Sequence, residues 1–338
     1  MSNLNNRQWL FVKRPIGPVD ESCFRRVEVG MPEIGVGQII LQNLYFSFDA
    51  SMRTWMNEGP NYLEPVVLGQ PMRSVTLAKI IKSRHPDFPV GEIVMGMNSW
   101  EDYSVSSGEG FCQLLPNIPD IPLSYFLGAL GPTGYTAYFG MIDIGRPKTG
   151  EAVLVSGAAG AVGSIAGQIA KLYGCFVVGL AGSKEKCEWL VDECGYDLAI
   201  NYKECDDLDG KLAGVFPNGI DIFFDNVGGA TLDSALANIG NNARIISCGA
   251  ISGYDAGENP SVPIKNHWML LIREAKMQGF LVSSYMHRAV EAAEYLGTHI
   301  SNGDIIFREH IEEGFDSAPS VLKMLYAGKN TGKLILKL

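Results

Sequence analysis

The chain has 338 residues, 46% of them hydrophobic and 19% charged, which is enough for two buried cores and too long for one typical domain. Its formal net charge of −10 argues against nucleic acid or an anionic membrane surface as partner and points to a small molecule. Seven cysteines (Cys23, Cys112, Cys175, Cys187, Cys194, Cys205, Cys248) form no C-x-x-C pair and read as reduced thiols of a cytoplasmic protein, while five scattered histidines show no ligand spacing, so no zinc is expected.

Residues 1–7 carry no basic segment followed by an apolar run, so no secretion leader is expected. Residues 1–126 read as short strands punctuated by Gly and Pro, among them 38–47, 75–81 and 92–96, and predict a small β-rich, barrel-like domain. Residues 127–139 read as a helix interrupted at Gly131-Pro132. The uncharged windows 121–142 and 152–170 are broken by glycine and polar residues, and neither reads as a membrane span. From Ala152 strands and helices alternate: strands at 152–156, 175–181, 198–201, 220–225, 243–248 and 277–282, helices at 162–173, 184–193, 206–216 and 230–239. Near-continuous apolar strands in such alternation predict a doubly wound parallel α/β sheet. A helix at 286–302, a strand at 305–307, a helix at 317–327 and a strand at 332–337 fall outside the pattern and are expected to rejoin the first domain. The expected division is therefore 1–126 with 304–338, and 127–303.

Within the first strand-to-helix turn, Ala158-Ala159-Gly160-Ala161-Val162-Gly163 is a variant of the G-x-G-x-x-G dinucleotide fingerprint. Its small residues permit a tight turn, backbone approach to a pyrophosphate and close helix packing, and the helix from about Val162 aims free N–H groups at phosphate. In NAD-specific sheets the second strand ends near an Asp or Glu that holds the ribose 2′-hydroxyl. Here that position is Gly182 or Ser183, followed by Lys184 and Lys186. Cations and a hydroxyl suit a 2′-phosphate, so NADP(H) is expected. The alternative is that the lysines only solvate a helix start, where cations are unfavourable.

Several blocks in order carry a resemblance: Val155-Ser-Gly-Ala-Ala-Gly-Ala-Val-Gly-Ser164, Ala181-Gly-Ser-x-Glu-Lys186, Ile200-Asn-Tyr-Lys203, Phe224-Asp-Asn-Val-Gly-Gly229, Cys248-Gly-Ala-Ile-Ser252 and Gly328-Lys-Asn-x-Gly-Lys333. They resemble the zinc-independent medium-chain dehydrogenase/reductases of the prostaglandin reductase (leukotriene 12-hydroxydehydrogenase) group, and within it the bacterial curcumin reductase-like branch. The resemblance implies a Rossmann domain beside a GroES-like catalytic domain made of both chain ends, and a homodimer. It implies NADPH-dependent reduction of the carbon-carbon double bond of α,β-unsaturated ketones and aldehydes, with hydride delivered to the β carbon and the developing enolate stabilised. Carried over by position, it puts Ala158 to Val162 at the pyrophosphate, Lys186 and Tyr202 near the 2′-phosphate, and Asn226 beside the cofactor. Cys248, Gly249, Ala250, Ile251, Ser252 and Tyr254 would line the nicotinamide-side loop, Phe280, Leu281 and Val282 the carboxamide, and Asn330 would reach in from the C-terminal segment.

Two departures matter. Zinc-dependent relatives carry Gly-His-Glu where this chain has Leu68-Gly-Gln70, and the tyrosine that many animal and plant members place eight residues before Phe280 is Ile272. The candidates for the enolate-stabilising hydroxyl are Tyr62, in Gly59-Pro-Asn-Tyr-Leu-Glu-Pro65, and Tyr254. The other readings are a packed loop aromatic for Tyr62 and a cofactor-loop residue without proton chemistry for Tyr254. Quinone reduction, or a catalytically silent NADPH-binding protein, are the alternative functions.

Overall fold

A computed structural model describes residues 5–59, 61–116, 118–119, 121–255 and 263–338. The reading of a missing leader rests partly on residues 1–4, which lie outside the described residues. Two units result: Met1–Leu127 with Glu309–Asn330 and Leu334–Leu338, and Gly128–Arg308 with Thr331–Lys333.

In the first unit β1 (Asn5–Phe11) and β2 (Phe24–Gly30) form an antiparallel ribbon. The strands β3 (Ile39–Ser47), β4 (Arg73–Ser83), β5 (Ile93–Ser99), β6 (Tyr103–Ser106) and β7 (Cys112–Leu114) follow. The second unit holds β8 (Ala152–Val155), β9 (Phe176–Ala181), β10 (Leu198–Asn201), β11 (Ile220–Asp225), β12 (Ile239–Ser247) and β13 (Lys276–Gly279). The chain then returns through β14 (Glu309–Glu313) and β15 (Lys333–Lys337).

The second sheet is parallel in the order β10-β9-β8-β11-β12-β13, so the strand order reverses between β8 and β11, the place where doubly wound sheets bind ligands. β8 buries Val153, Leu154 and Val155 completely, and helices cover both faces, which explains why its strands read as apolar runs. The first unit's sheet runs β14-β15-β3-β4-β5-β7, with β6 added to β3. Its core joins Phe11, Phe24, Phe46, Phe48, Trp55 and Trp100 to Phe315, Leu322 and Leu334 from the C-terminal segment. The expected β-rich unit and doubly wound parallel sheet are thus both present.

Some expected elements differ, each for a local reason. Pro132 does not interrupt a helix but starts one, Pro132–Phe139, because a first helical residue has no N–H bond to lose. The strand expected at 305–307 is absent. Ile306 instead exchanges both backbone groups with the Gln168 side chain (2.7 and 2.9 Å), and the Phe307 ring fills the space where a Cβ on Gly128 would stand. The sixth parallel strand ends at Gly279, and Val282–Arg288 winds as a 3-10 helix into Ala289–Ser301. All seven thiols are unbridged, and no described helix is long and apolar enough to cross a membrane.

Candidate functional site

Parallel strands end on one edge, and that edge gathers the candidate residues of the second unit. After β8 the chain turns at Gly157, whose φ of +55° lies in the region glycine favours. The Gly160 N–H donates to the Gly157 carbonyl at 3.0 Å, and the Ala158 N–H donates to the Leu180 carbonyl of β9 at 3.0 Å. The helix Ala161–Leu172 then starts from Gly160 with no side chain capping it, which leaves the N–H groups of Ala161, Val162 and Gly163 for an anion. A Cβ on Gly163 would stand 2.5 Å from the Gly157 carbonyl oxygen and 2.8 Å from the Ala158 Cα, so helix and turn touch through bare backbone. Behind them the fully buried Tyr196 phenol donates to the Gly163 carbonyl at 2.7 Å.

Asp225, at the end of β11, ties this turn to the next loop. Its buried carboxylate accepts from the Ser156 hydroxyl at 2.7 Å and from the backbone N–H groups of Val227 (3.0 Å) and Gly228 (3.0 and 3.1 Å). Burial raises its pKa while these bonds lower it. Asn226 donates its side-chain amide to the Ser156 carbonyl at 2.7 Å, which orients the carboxamide beside the glycine turn. The loop after β12 folds onto the same scaffold: the N–H groups of Cys248 (2.9 Å) and Gly249 (3.0 Å) donate to the Asp225 carbonyl, and the Ser252 hydroxyl donates to the Val227 carbonyl at 2.6 Å. Ile251 bonds to the Asn226 carbonyl, and the Ala250 N–H donates to the Tyr254 phenol oxygen at 3.2 Å, which binds that tyrosine to its own loop. Burial, then the Asp225 charge, push the Cys248 thiol up to about 12, so it is no nucleophile at neutral pH.

At the end of β9, Ser183 caps the helix Lys184–Asp192, its hydroxyl accepting from the Lys186 N–H at 3.3 Å. Lys184 is exposed and pairs with Glu188 one turn on, at 3.5 Å. Lys186 is held differently: burial, then the neighbouring Lys203, lower its pKa against the pull of Glu185. Lys203, which the strand-by-strand reading of the sequence passed over, stands beside these residues. A Cβ on Gly182 would meet Lys203 Cε and the Tyr202 hydroxyl at 3.2 Å and Lys203 Nζ at 3.5 Å. Sheet order explains it: Asn201 of β10 pairs with Ala181 of β9, so the residues following each strand stand side by side. Gly182 thus borders a small cradle with a phenol and the Lys203 ammonium, with Lys186 near enough to feel that charge, where a carboxylate would mark NAD.

Phe280, Leu281 and Val282 follow β13 on the same edge, beside Cys248 through the pairing of Ser247 with Gly279. The Phe280 ring turns into the fold against Gly140 and Tyr285, which leaves the backbone of this segment at the edge. Ile272 is half-exposed near the opposite end of that strand. Tyr62 and Asn330 belong to the first unit. Asn330 is buried, and the Tyr62 phenol oxygen accepts the Trp55 indole N–H at 2.8 Å.

Residues 7–114 match the family described as the N-terminal domain of oxidoreductase, and residues 161–296 the one described as zinc-binding dehydrogenase. Among the described residues, no three His, Cys, Asp or Glu side chains assemble a metal-ligand set. The chain is 39% identical over 337 residues to the NADPH-dependent curcumin reductase of Escherichia coli K12, covering 98% of this chain and 96% of that one. It is 41% identical over 314 residues to the NADP(+)-dependent 2-alkenal reductase of Nicotiana tabacum, covering 92% and 90%. The crystal structure of Vibrio vulnificus CurA in complex with NADPH superposes with a TM-score of 0.92 at 39% identity, covering 98% of each chain.

Proposed function

The chain belongs to the medium-chain dehydrogenase/reductase family, in its prostaglandin reductase and curcumin reductase group, and from that premise we propose that it is an NADPH-dependent enone reductase. The observation that carries the coenzyme is the cradle at Gly182, where Ser183, Lys186, Tyr202 and Lys203 offer a 2′-phosphate hydroxyl and ammonium donors. The fit extends to the pyrophosphate, since the uncapped helix start leaves N–H groups for it and the bare Gly163 lets the helix close onto the turn. When bound, NADPH supplies the hydride. The protein's share is to hold the coenzyme on these groups and to offer a hydroxyl to the carbonyl oxygen that gains charge, an interaction worth about 2.7–4 kcal/mol in comparable sites. Each phenol oxygen accepts one N–H, and Tyr62 is the candidate we take because a buried indole fixes it, whereas Tyr254 is tied to the backbone of its own loop. The purified protein is expected to oxidise NADPH when given cinnamaldehyde-like or curcumin-like enones and to release the saturated carbonyl. Silence across a broad enone panel would overturn the reading, and turnover confined to quinones would replace it with quinone reduction.

We also propose a cytoplasmic homodimer, supported by unbridged thiols and by the place of β13 at the edge of its sheet among the described residues. Around that edge Trp268, Leu271, Ile272, Met277 and Leu281 are all at least 40% exposed, an apolar patch of the kind that marks an interface. Leu271→Asp, at the most exposed of them, is expected to convert a dimer into a monomer by sedimentation velocity. Unchanged sedimentation of that variant would place the contact elsewhere.

A further inference from the structure

Tyr62 sits on a prepared base within the first unit. Trp55 is 3% exposed and donates its indole N–H to the phenol oxygen at 2.8 Å, and the Ser51 hydroxyl bonds to the same oxygen. The Arg73 guanidinium lies 5.4 Å from the Trp55 ring centroid, with its buried Nε unpartnered. An indole N–H donates and never accepts, so the phenol oxygen must accept and its own proton must point away from Trp55. Ser51, whose hydroxyl rotates to donate or accept, is a second partner among the described residues. Burial of the hydroxyl raises the phenol pKa, Ser51, Trp55 and Arg73 lower it, and Asp49 raises it again. The tyrosine as a whole is 45% exposed, so a small molecule reaches it.

We propose that Trp55 is a positioning residue: its indole N–H holds Tyr62 as an outward-facing hydrogen-bond donor for a substrate carbonyl oxygen, with Arg73 and Ser51 favouring that polarity. No bond is made or broken by this role. The proposal rests on the enone reductase reading and on Tyr62 as its hydroxyl.

The test compares Tyr62→Phe, Trp55→Phe, the double variant and the rescue variant Trp55→His, which keeps a ring N–H. Tyr62→Phe is expected to lower kcat about 100-fold, the scale of a lost oxyanion donor. Trp55→Phe is expected to lower kcat about 10-fold, leave the KM for NADPH within twofold and shift the alkaline limb of the kcat–pH profile upward. The double variant should match Tyr62→Phe alone, and Trp55→His should recover most of the loss. Trp55→Phe acting as strongly in the Tyr62→Phe background as in the parent would show a merely structural tryptophan and overturn the proposal. A Tyr62→Phe loss below threefold removes Tyr62 from the reaction and the proposal with it; a large Tyr62→Phe loss beside an innocuous Trp55→Phe overturns only the positioning role. Ultraviolet resonance Raman of the indole N–H needs no change at Trp55. Tyr62→Phe must move one tryptophan band to its unbonded position, and an unchanged spectrum overturns the geometry.

Discussion

Replacing Lys186 and Lys203 together by alanine is expected to raise the KM for NADPH more than 100-fold while changing that for NADH less than about threefold. A charge-assisted hydrogen bond is worth about 1.5–3 kcal/mol, roughly 10- to 150-fold in affinity, so each single variant should lose about 10-fold or more. Lys203 stands beside Gly182, and its repulsion of Lys186 is one of the causes that lower the Lys186 pKa. A 2′-phosphate relieves that repulsion, so both lysines gain from the same ligand and the pair is expected to be more than the sum of its members. The sign of the pKa shift supplies a control. With the folded pKa of Lys186 below its ordinary value of 10.5, the folded state binds fewer protons than the unfolded one in the interval between them, and stability rises with pH there. Charging Lys186 therefore opposes folding at neutral pH, and the double variant should melt close to the parent. Steady-state kinetics with both coenzymes at one enone concentration decide the matter. Equal losses for NADPH and NADH would mean that the lysines serve the fold and not the 2′-phosphate.

The parallel sheet was legible because its central strands β8, β9 and β11 are buried on both faces, and β10 and β11 have the bounds expected. β2 and β14 were not, since Arg25-Arg26-Val27-Glu28 and Glu309-His310-Ile311-Glu312 lie mostly at the surface and are held by backbone pairing that leaves no apolar signature. Ile305-Ile306-Phe307 misled in the opposite direction, because Ile305 buries itself in an irregular segment and the Ile306 backbone pairs with the Gln168 side chain instead of a neighbouring strand. The same division runs through the candidate site. The glycine turn is local in the chain, and its spacing carries its meaning. Lys203 needs the order of two strands before it stands beside Gly182, and Trp55 needs the loop that brings Tyr62 back onto it. Neither residue type announces its neighbour.

Asp225→Ala is expected to cost the second unit about 3 kcal/mol or more and to abolish measurable NADPH binding. The carboxylate is 1% exposed and satisfies the Ser156 hydroxyl and the N–H groups of Val227 and Gly228; stripping it leaves donors that each cost about 1–3 kcal/mol when buried without a partner. Three of the four contacts fall on Oδ1, and only the 3.1 Å contact to Gly228 uses Oδ2. Asp225→Asn can therefore keep its carbonyl at the crowded position, and about 1 kcal/mol is the expected loss. The two variants share one change in pH dependence. Burial raises the Asp225 pKa above its ordinary value, so the folded state holds the proton longer, and this group's contribution to stability falls as pH rises from the ordinary carboxylate range through the folded value. Neither variant carries that slope, so both deficits should narrow by the same amount as the pH rises, with Ala below Asn throughout. Urea denaturation between pH 4 and 8, with NADPH titrated by fluorescence, measures both. A loss below 1 kcal/mol in Asp225→Ala with unchanged NADPH affinity would show that the glycine turn and the loops after β11 and β12 hold their places without the carboxylate.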